Sequence, residues 1–186
     1  MIVYNTVDGP MIEVVLDMEP VSIDTEKWLE LVERLDVKGK ELEKELGVNV
    51  YSPKQVIAWF RDKGIDIEDT TAETLSELGD VAEGIILARM YRKATSTYGK
   101  SWIEKYAEDD GGSRLVYSAW HISGATSTGR MSSSNPNLQQ IPARKIPEYR
   151  EMFISRHGLM IDTDVSAQEP HILAWHSKDK KLLQVS

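Results

Sequence analysis

The sequence predicts an α+β fold that is mostly α. Three observations carry this. Apolar residues recur at three- and four-residue spacing through most of positions 25–98, which marks helices with one buried stripe. Past Tyr106 the pattern shifts to short stretches rich in Val, Tyr, Trp and Ile, which suit strands. The chain has 186 residues with 41% apolar and 28% charged side chains, enough for one domain or two small ones around a real core.

Met11–Met18 is a short apolar segment, long enough for one or two helical turns. Asp24 or Thr25 then caps a helix to about Leu46, with Trp28, Leu31, Val32, Leu35, Leu42 and Leu46 on its inner face. Gly47 stands where a helix end wants a left-handed residue. Ser52 followed by Pro53 is a cap and first-position pair, opening a helix to about Lys63 that Gly64 ends. Thr70 or Thr71 opens a short helix to Leu78. Asp80 opens a longer one, Val81 to about Tyr98, with Ile85, Leu87, Ala88 and Tyr91 as core candidates.

Glu108–Gly112 is predicted as a turn or exposed loop. Arg114–Ile122 is predicted as a strand. Gly124–Ser134 is dense in Ser, Thr and Gly, yet it leads into Pro136–Pro142, which is too specific in sequence to be a spacer. Met152–Ile154 and Leu159–Thr163 are predicted as short strands around a His157–Gly158 turn. Gln168–His176 is predicted helical, with Pro170 tolerated in its first turn.

Composition excludes several classes. Cys is absent, so there are no disulfides, thiolate zinc sites or cysteine nucleophile. No apolar run approaches a membrane span, and the N-terminus lacks the basic start of a signal peptide. A cytoplasmic protein with no membrane partner is the expectation. The formal net charge is −8. Residues 1–83 hold 20 acids and 8 bases, whereas residues 84–186 hold 10 acids and 14 bases. Two strips carry four bases and no acid: Arg89, Arg92, Lys93 and Lys100; and Arg114, Arg130, Arg144 and Lys145. Such strips are either a solvated helix face plus a polar loop or a place to meet phosphates.

Two stretches carry chemistry. In Thr126–Arg144, amides and hydroxyls are punctuated by Arg130 and Arg144. Donors of this kind suit sugar oxygens and the acceptors that every base pair presents in the minor groove. The alternative is a polar loop satisfying its own backbone. In Leu159–Trp175, an apolar strand is expected to deliver Asp164 to its C-terminal end before a helix. There a carboxylate beside an exposed carbonyl can hold Mg²⁺. An Asp after a strand is also a common turn or cap residue, and Asp162 competes for the role. His171 and His176 lack a further ligand set for zinc.

Together these stretches resemble DNA polymerases of family A. TSTGRMSSSNPNLQQIPAR (126–144) resembles the family's DNA-contacting signature, and DTDVSAQEPHILAWHSKDKKL (162–182) resembles its motif A. Met18–Asp24, Ser52–Val56 and Ser96-Thr97-Tyr98 are similar to thumb segments of the family. The resemblance implies a helical thumb over residues 1–110, then the first strands and helix of a polymerase palm over 111–186.

By position, the resemblance implies these roles. Asp164 binds the catalytic Mg²⁺ ions, helped by the Val165 carbonyl. Glu169 crowds the sugar 2′ position and selects deoxynucleotides. Arg130 reaches the minor groove at the primer terminus. Asn137, Gln139 and Gln140 contact the duplex there, and Arg144 a primer phosphate. Lys93, Ser96 and Thr97 face the duplex from the thumb. The partners implied are primer–template DNA and a dNTP. Four positions depart from the pattern. Ala167 stands where many members carry Gln, Val165 replaces an aromatic, His171 replaces Arg, and Pro170 is similar to a phage-type variant. No segment matches the fingers or the second palm aspartate. The expectation is therefore a fragment of a DNA-directed DNA polymerase, inactive alone and completed in a longer chain or by a second polypeptide. The alternatives are a non-catalytic primer–template binding module and a helical remnant that keeps the motif only as ancestry.

Overall fold

A computed structural model describes residues 9–109, 114–122, 129–142 and 144–182. Asp110, Gly111 and Gly112 of the expected turn, and Gly124–Thr128 of the Ser/Thr/Gly stretch, lie outside the described residues.

The long helix begins where a side chain can accept from free N–H groups. Asp24 caps α2 (Thr25–Leu46) by accepting from the Lys27 N–H at 3.0 Å. Gly47 closes it in the left-handed conformation (φ 65°), donating its N–H to the Glu43 carbonyl. Before it lie α1 (Gly9–Leu16), which buries no residue, and the strand β1 (Val21–Ile23). Ser52 caps α3 (Pro53–Asp62) with Pro53 at its start, and Thr71 caps α4 (Ala72–Glu77). The cap of α5 (Asp80–Thr97) is Gly79, not Asp80. Asp80 instead lies inside the first turn, where its charge favours the helix N-terminus.

Helices α2 and α5 run antiparallel. Leu46 packs near Gly84, Gly39 packs near Tyr91 and Arg92, and Trp28 reaches Tyr98. Two apolar clusters follow. One gathers Val50, Val56, Phe60, Leu75, Ala82, Ile85 and Ala88 under α3 and α4. The other gathers Ile23, Trp28, Leu31, Leu35, Trp102, Val116, Ile146 and Tyr149. At its centre Trp28 is fully buried, stacked on Trp102 at 4.7 Å and edge-on to Tyr149 at 5.1 Å. Burial of Leu31 and Leu35 contributes about 1.5–3 kcal/mol each. Of the core candidates on α5, Ile85 and Ala88 are buried, while Leu87 and Tyr91 are half-buried.

Past α5, Gly99 lets the chain turn at once into α6 (Lys100–Tyr106). A Cβ at Gly99 would collide with the Thr95 carbonyl. Then β2 (Ala107–Asp109) pairs antiparallel with β3 (Arg114–Val116), so Glu108 and Asp109 are strand, not loop. The single strand expected over Arg114–Ile122 is two strands in different sheets. The first, β3, pairs with β1, and β4 (Ala119–His121) pairs with β5 (Ser132–Ser134). Ser118 explains the break: its hydroxyl donates to the Pro136 carbonyl at 2.8 Å, turning the chain towards the second sheet. A 3₁₀ turn (Leu138–Gln140), α7 (Glu148–Glu151) and β6 (Phe153–Ile154) follow. The larger sheet has the order β2-β3-β1-β6, all antiparallel, and so joins strands from both sides of position 110.

The chain divides into two compact units, up to Ile154 and from Ser155. In the second, α8 (Gln168–Ser177) follows Ala167, which holds φ 51°, and Lys178 closes it. The strand expected over Leu159–Thr163 is not formed. An apolar run becomes a strand only by pairing its N–H and C=O groups, and no strand is described in residues 155–182 to pair with it. Leu159 and Ile161 are accordingly exposed, at 87% and 85%. Among the described residues, no helix is long and apolar enough to cross a membrane.

Candidate nucleic-acid interface

The Asn137–Gln140 turn is built by its own side chains. The Asn137 carboxamide oxygen accepts from the Gln139 N–H at 3.0 Å and from the Ser133 hydroxyl at 3.1 Å. The Gln139 carboxamide N–H donates to the Met131 carbonyl at 3.2 Å. One polar end of each side chain is thereby fixed, and the Asn137 N–H₂ and the Gln139 side-chain oxygen make no hydrogen bond among the described residues. Gln140 is exposed, and its backbone carbonyl accepts the Tyr98 hydroxyl at 2.7 Å. Burial pushes the Tyr98 hydroxyl pKa above its usual value, so it stays protonated and donates.

That hydrogen bond joins two distant parts of the chain. Tyr98 ends α5, and its own carbonyl accepts the Trp28 indole N–H at 2.8 Å. The result is a recess of about 330 Å³ lined by Thr97, Tyr98, Ser101, Lys105, Asn137 and Gln140. Three site residues expected from the sequence therefore meet here: Thr97, Asn137 and Gln140. Ser96 does not join them. Its hydroxyl donates back to the Lys93 carbonyl at 3.0 Å, and it lines a separate cleft with Asp36 and Arg92. Lys93, Arg130 and Arg144 are exposed.

Arg89, Arg92, Lys100 and Arg114 of the basic strips are engaged within the fold. Arg89 donates to the Val50 carbonyl at 2.7 Å and the Thr70 carbonyl at 2.6 Å, tying two loops together. Arg92 pairs with Asp36 at 3.0 Å and Glu43 at 3.8 Å. Lys100 pairs with Glu104 at 3.4 Å, and Arg114 with Asp109 at 3.7 Å. Lys93, Lys105, Arg144 and Lys145 form no ion pair among the described residues. Of these, Lys105 and its neighbours Ser101 and Tyr106 escaped the sequence reading. The signal that could have found them is the i, i+4 spacing of Ser101 and Lys105, visible only once α6 is recognised as a helix.

The second unit carries Asp164, Val165 and Glu169. Asp164 and Val165 are exposed on an irregular segment, and Glu169 is exposed in the first turn of α8. In kind, a carboxylate and a carbonyl are the hard oxygen donors a Mg²⁺-like cation takes. In number they fall short, since no group of three His, Cys, Asp or Glu among the described residues could hold a metal ion. Asp162, the competing carboxylate, is equally exposed.

Comparison with known proteins agrees with the motifs. The model for DNA polymerase family A matches residues 24–186. The chain is similar to DNA polymerase I of Caldicellulosiruptor bescii, 31% identical over 203 residues, covering 97% of this chain and 23% of that relative. It is also similar to DNA polymerase I of Lactococcus lactis subsp. cremoris, at 32% over 176 residues, covering 89% of this chain and 20% of the relative. DNA polymerase I of Bacillus subtilis is 28% identical over 204 residues, covering 97% and 22%. The chain thus spans between a fifth and a quarter of the length of these relatives.

Proposed function

The chain belongs to DNA polymerase family A, and from that premise we propose that it is the primer–template binding part of a DNA-directed DNA polymerase, with residues 1–110 as thumb and 111–186 as partial palm. The observation that carries the reading is the recess where Thr97 and Tyr98 meet Asn137 and Gln140. Polar donors from two chain segments converge there, beside a single ammonium, that of Lys105. That suits minor-groove acceptors and sugar oxygens, which are common to all sequences. Arg130 extends the donor set to the primer terminus. Arg144 and Lys93 meet backbone phosphates.

In the second unit, Asp164 and the Val165 carbonyl would supply part of a divalent-cation site, with Mg²⁺ as the ion. When bound, the ion would neutralise charge on phosphate oxygens as a nucleotidyl group passes from a dNTP to a primer 3′-OH and pyrophosphate leaves. Glu169 would crowd the sugar 2′ position and favour deoxynucleotides. The exposed apolar run Leu159–Ile161 supports covering by further palm residues, in a longer chain or a second polypeptide. These 186 residues alone are then a binder, not a catalyst.

The test is duplex binding by the 186-residue chain, read by fluorescence anisotropy of a labelled primer–template. Binding at 50 mM salt that weakens linearly on a log–log salt plot, and weakens further in Arg130→Ala, is expected. Absence of binding at 50 mM salt overturns the reading.

A further inference from the structure

We propose that Lys105 is a phosphate-binding residue, holding a backbone phosphate of the duplex strand whose groove edge meets Asn137 and Gln140. The inference rests on the duplex-binding reading above and adds to it a residue that the family motifs do not touch. Lys105 stands in the last turn of α6, exposed, with its ammonium 4.7 Å from the centre of the Tyr106 ring. It shares the 330 Å³ recess with the Asn137 and Gln140 amides and the Thr97 and Ser101 hydroxyls.

Groove geometry makes the assignment. The minor groove is about 6 Å wide. Amides that reach its edge therefore bring the phosphates of its wall within a side-chain length of the same recess. A phosphate there needs a cation, and a compact ammonium on a flexible stem meets it as a point charge. Lys105 is the one basic residue that lines the recess, whereas Arg89 is held by loop carbonyls, Arg92 by Asp36 and Glu43, and Lys100 by Glu104. Lys105 forms no ion pair with a carboxylate among the described residues. The Ser101 hydroxyl, one helical turn earlier, is placed to donate to the same phosphate or its sugar.

The salt slope of duplex binding tests this directly, because each phosphate contact contributes about 0.9 to it. Lys105→Gln and Lys105→Ala in the 186-residue chain should each lower the slope by about 0.9 and weaken binding about tenfold at 50 mM salt. Lys105→Arg should keep the slope. Gln140→Ala should weaken binding at every salt concentration with the slope unchanged. A Lys105→Gln chain that melts and binds with the wild-type slope overturns the assignment and leaves the duplex-binding reading standing. A wild-type chain that does not bind duplex at 50 mM salt overturns both.

Discussion

The Tyr98 hydroxyl donates to the Gln140 carbonyl across 2.7 Å, tying the end of α5 to the turn that carries Asn137, Gln139 and Gln140. The same residue accepts the Trp28 indole N–H on its carbonyl. The position of the turn is thus set by the centre of the helical core. Tyr98→Phe removes the hydroxyl and keeps the ring. It should lower stability by about 0.5–1.5 kcal/mol, read by urea unfolding through tryptophan fluorescence, and weaken duplex binding. Unchanged duplex affinity would show that the tie does not serve the site.

Trp28 is the larger anchor. It is fully buried, stacks on Trp102, and holds Tyr98 by a hydrogen bond. Trp28→Ala should cost about 3–5 kcal/mol, measured as the change in urea midpoint at constant slope. A cost under about 1 kcal/mol would contradict the packing described.

Gly99 is held by close approach. Any Cβ there meets the Thr95 carbonyl, so Gly99→Ala must push α5 and α6 apart. Overpacking of this kind costs about 1–3 kcal/mol. A neutral melting temperature would contradict it. Loss of duplex binding beyond that explained by unfolding is expected, because Lys105 and Thr97 lie on either side of the turn.

Acid should destabilise the helical unit. Lys40, followed by Arg92, holds the Asp36 carboxyl below its ordinary value of 3.8, and Lys27 does the same for Asp24. A group with a lowered folded pKa contributes stability above its unfolded pKa and loses it as pH falls through the folded one. The melting temperature should be level from pH 7 to 5 and fall below about pH 4. Asp36→Asn should start lower and lose less over that fall. Equal acid sensitivity in the variant would contradict the assignment.

Asp164 is exposed and outside any core. Asp164→Ala should therefore leave unfolding within about 0.5 kcal/mol of wild type. The 186-residue chain should not extend a primer, with or without the substitution. Template-directed extension that is lost in Asp164→Ala would contradict the proposal that these residues bind without catalysing.

What the sequence disclosed follows the range of the forces involved. Asp24, Gly47, Ser52-Pro53 and Thr71 act on backbone groups within four residues, so their helix ends were legible. Strand β1 was not, because its three residues become a strand only by pairing with β3, far along the chain. The Leu159–Thr163 strand failed for the same reason reversed: its composition is right but no partner is described. The basic strips were legible as charge, while the carboxylates and carbonyls that occupy Arg89 and Arg92 belong to other helices and loops. The motifs named candidate residues, yet only the fold brought Thr97 and Tyr98 to Asn137 and Gln140 and placed Lys105 beside them.

If duplex DNA sits in this recess, binding must shield the backbone on both of its walls. Amide hydrogen exchange of the 186-residue chain, with and without a primer–template duplex, tests it most directly. Exchange should slow in Thr95–Tyr106 and Asn137–Ile141, with α3 and α4 unchanged. Protection confined to α3 and α4, or no protection at saturating duplex, would contradict it.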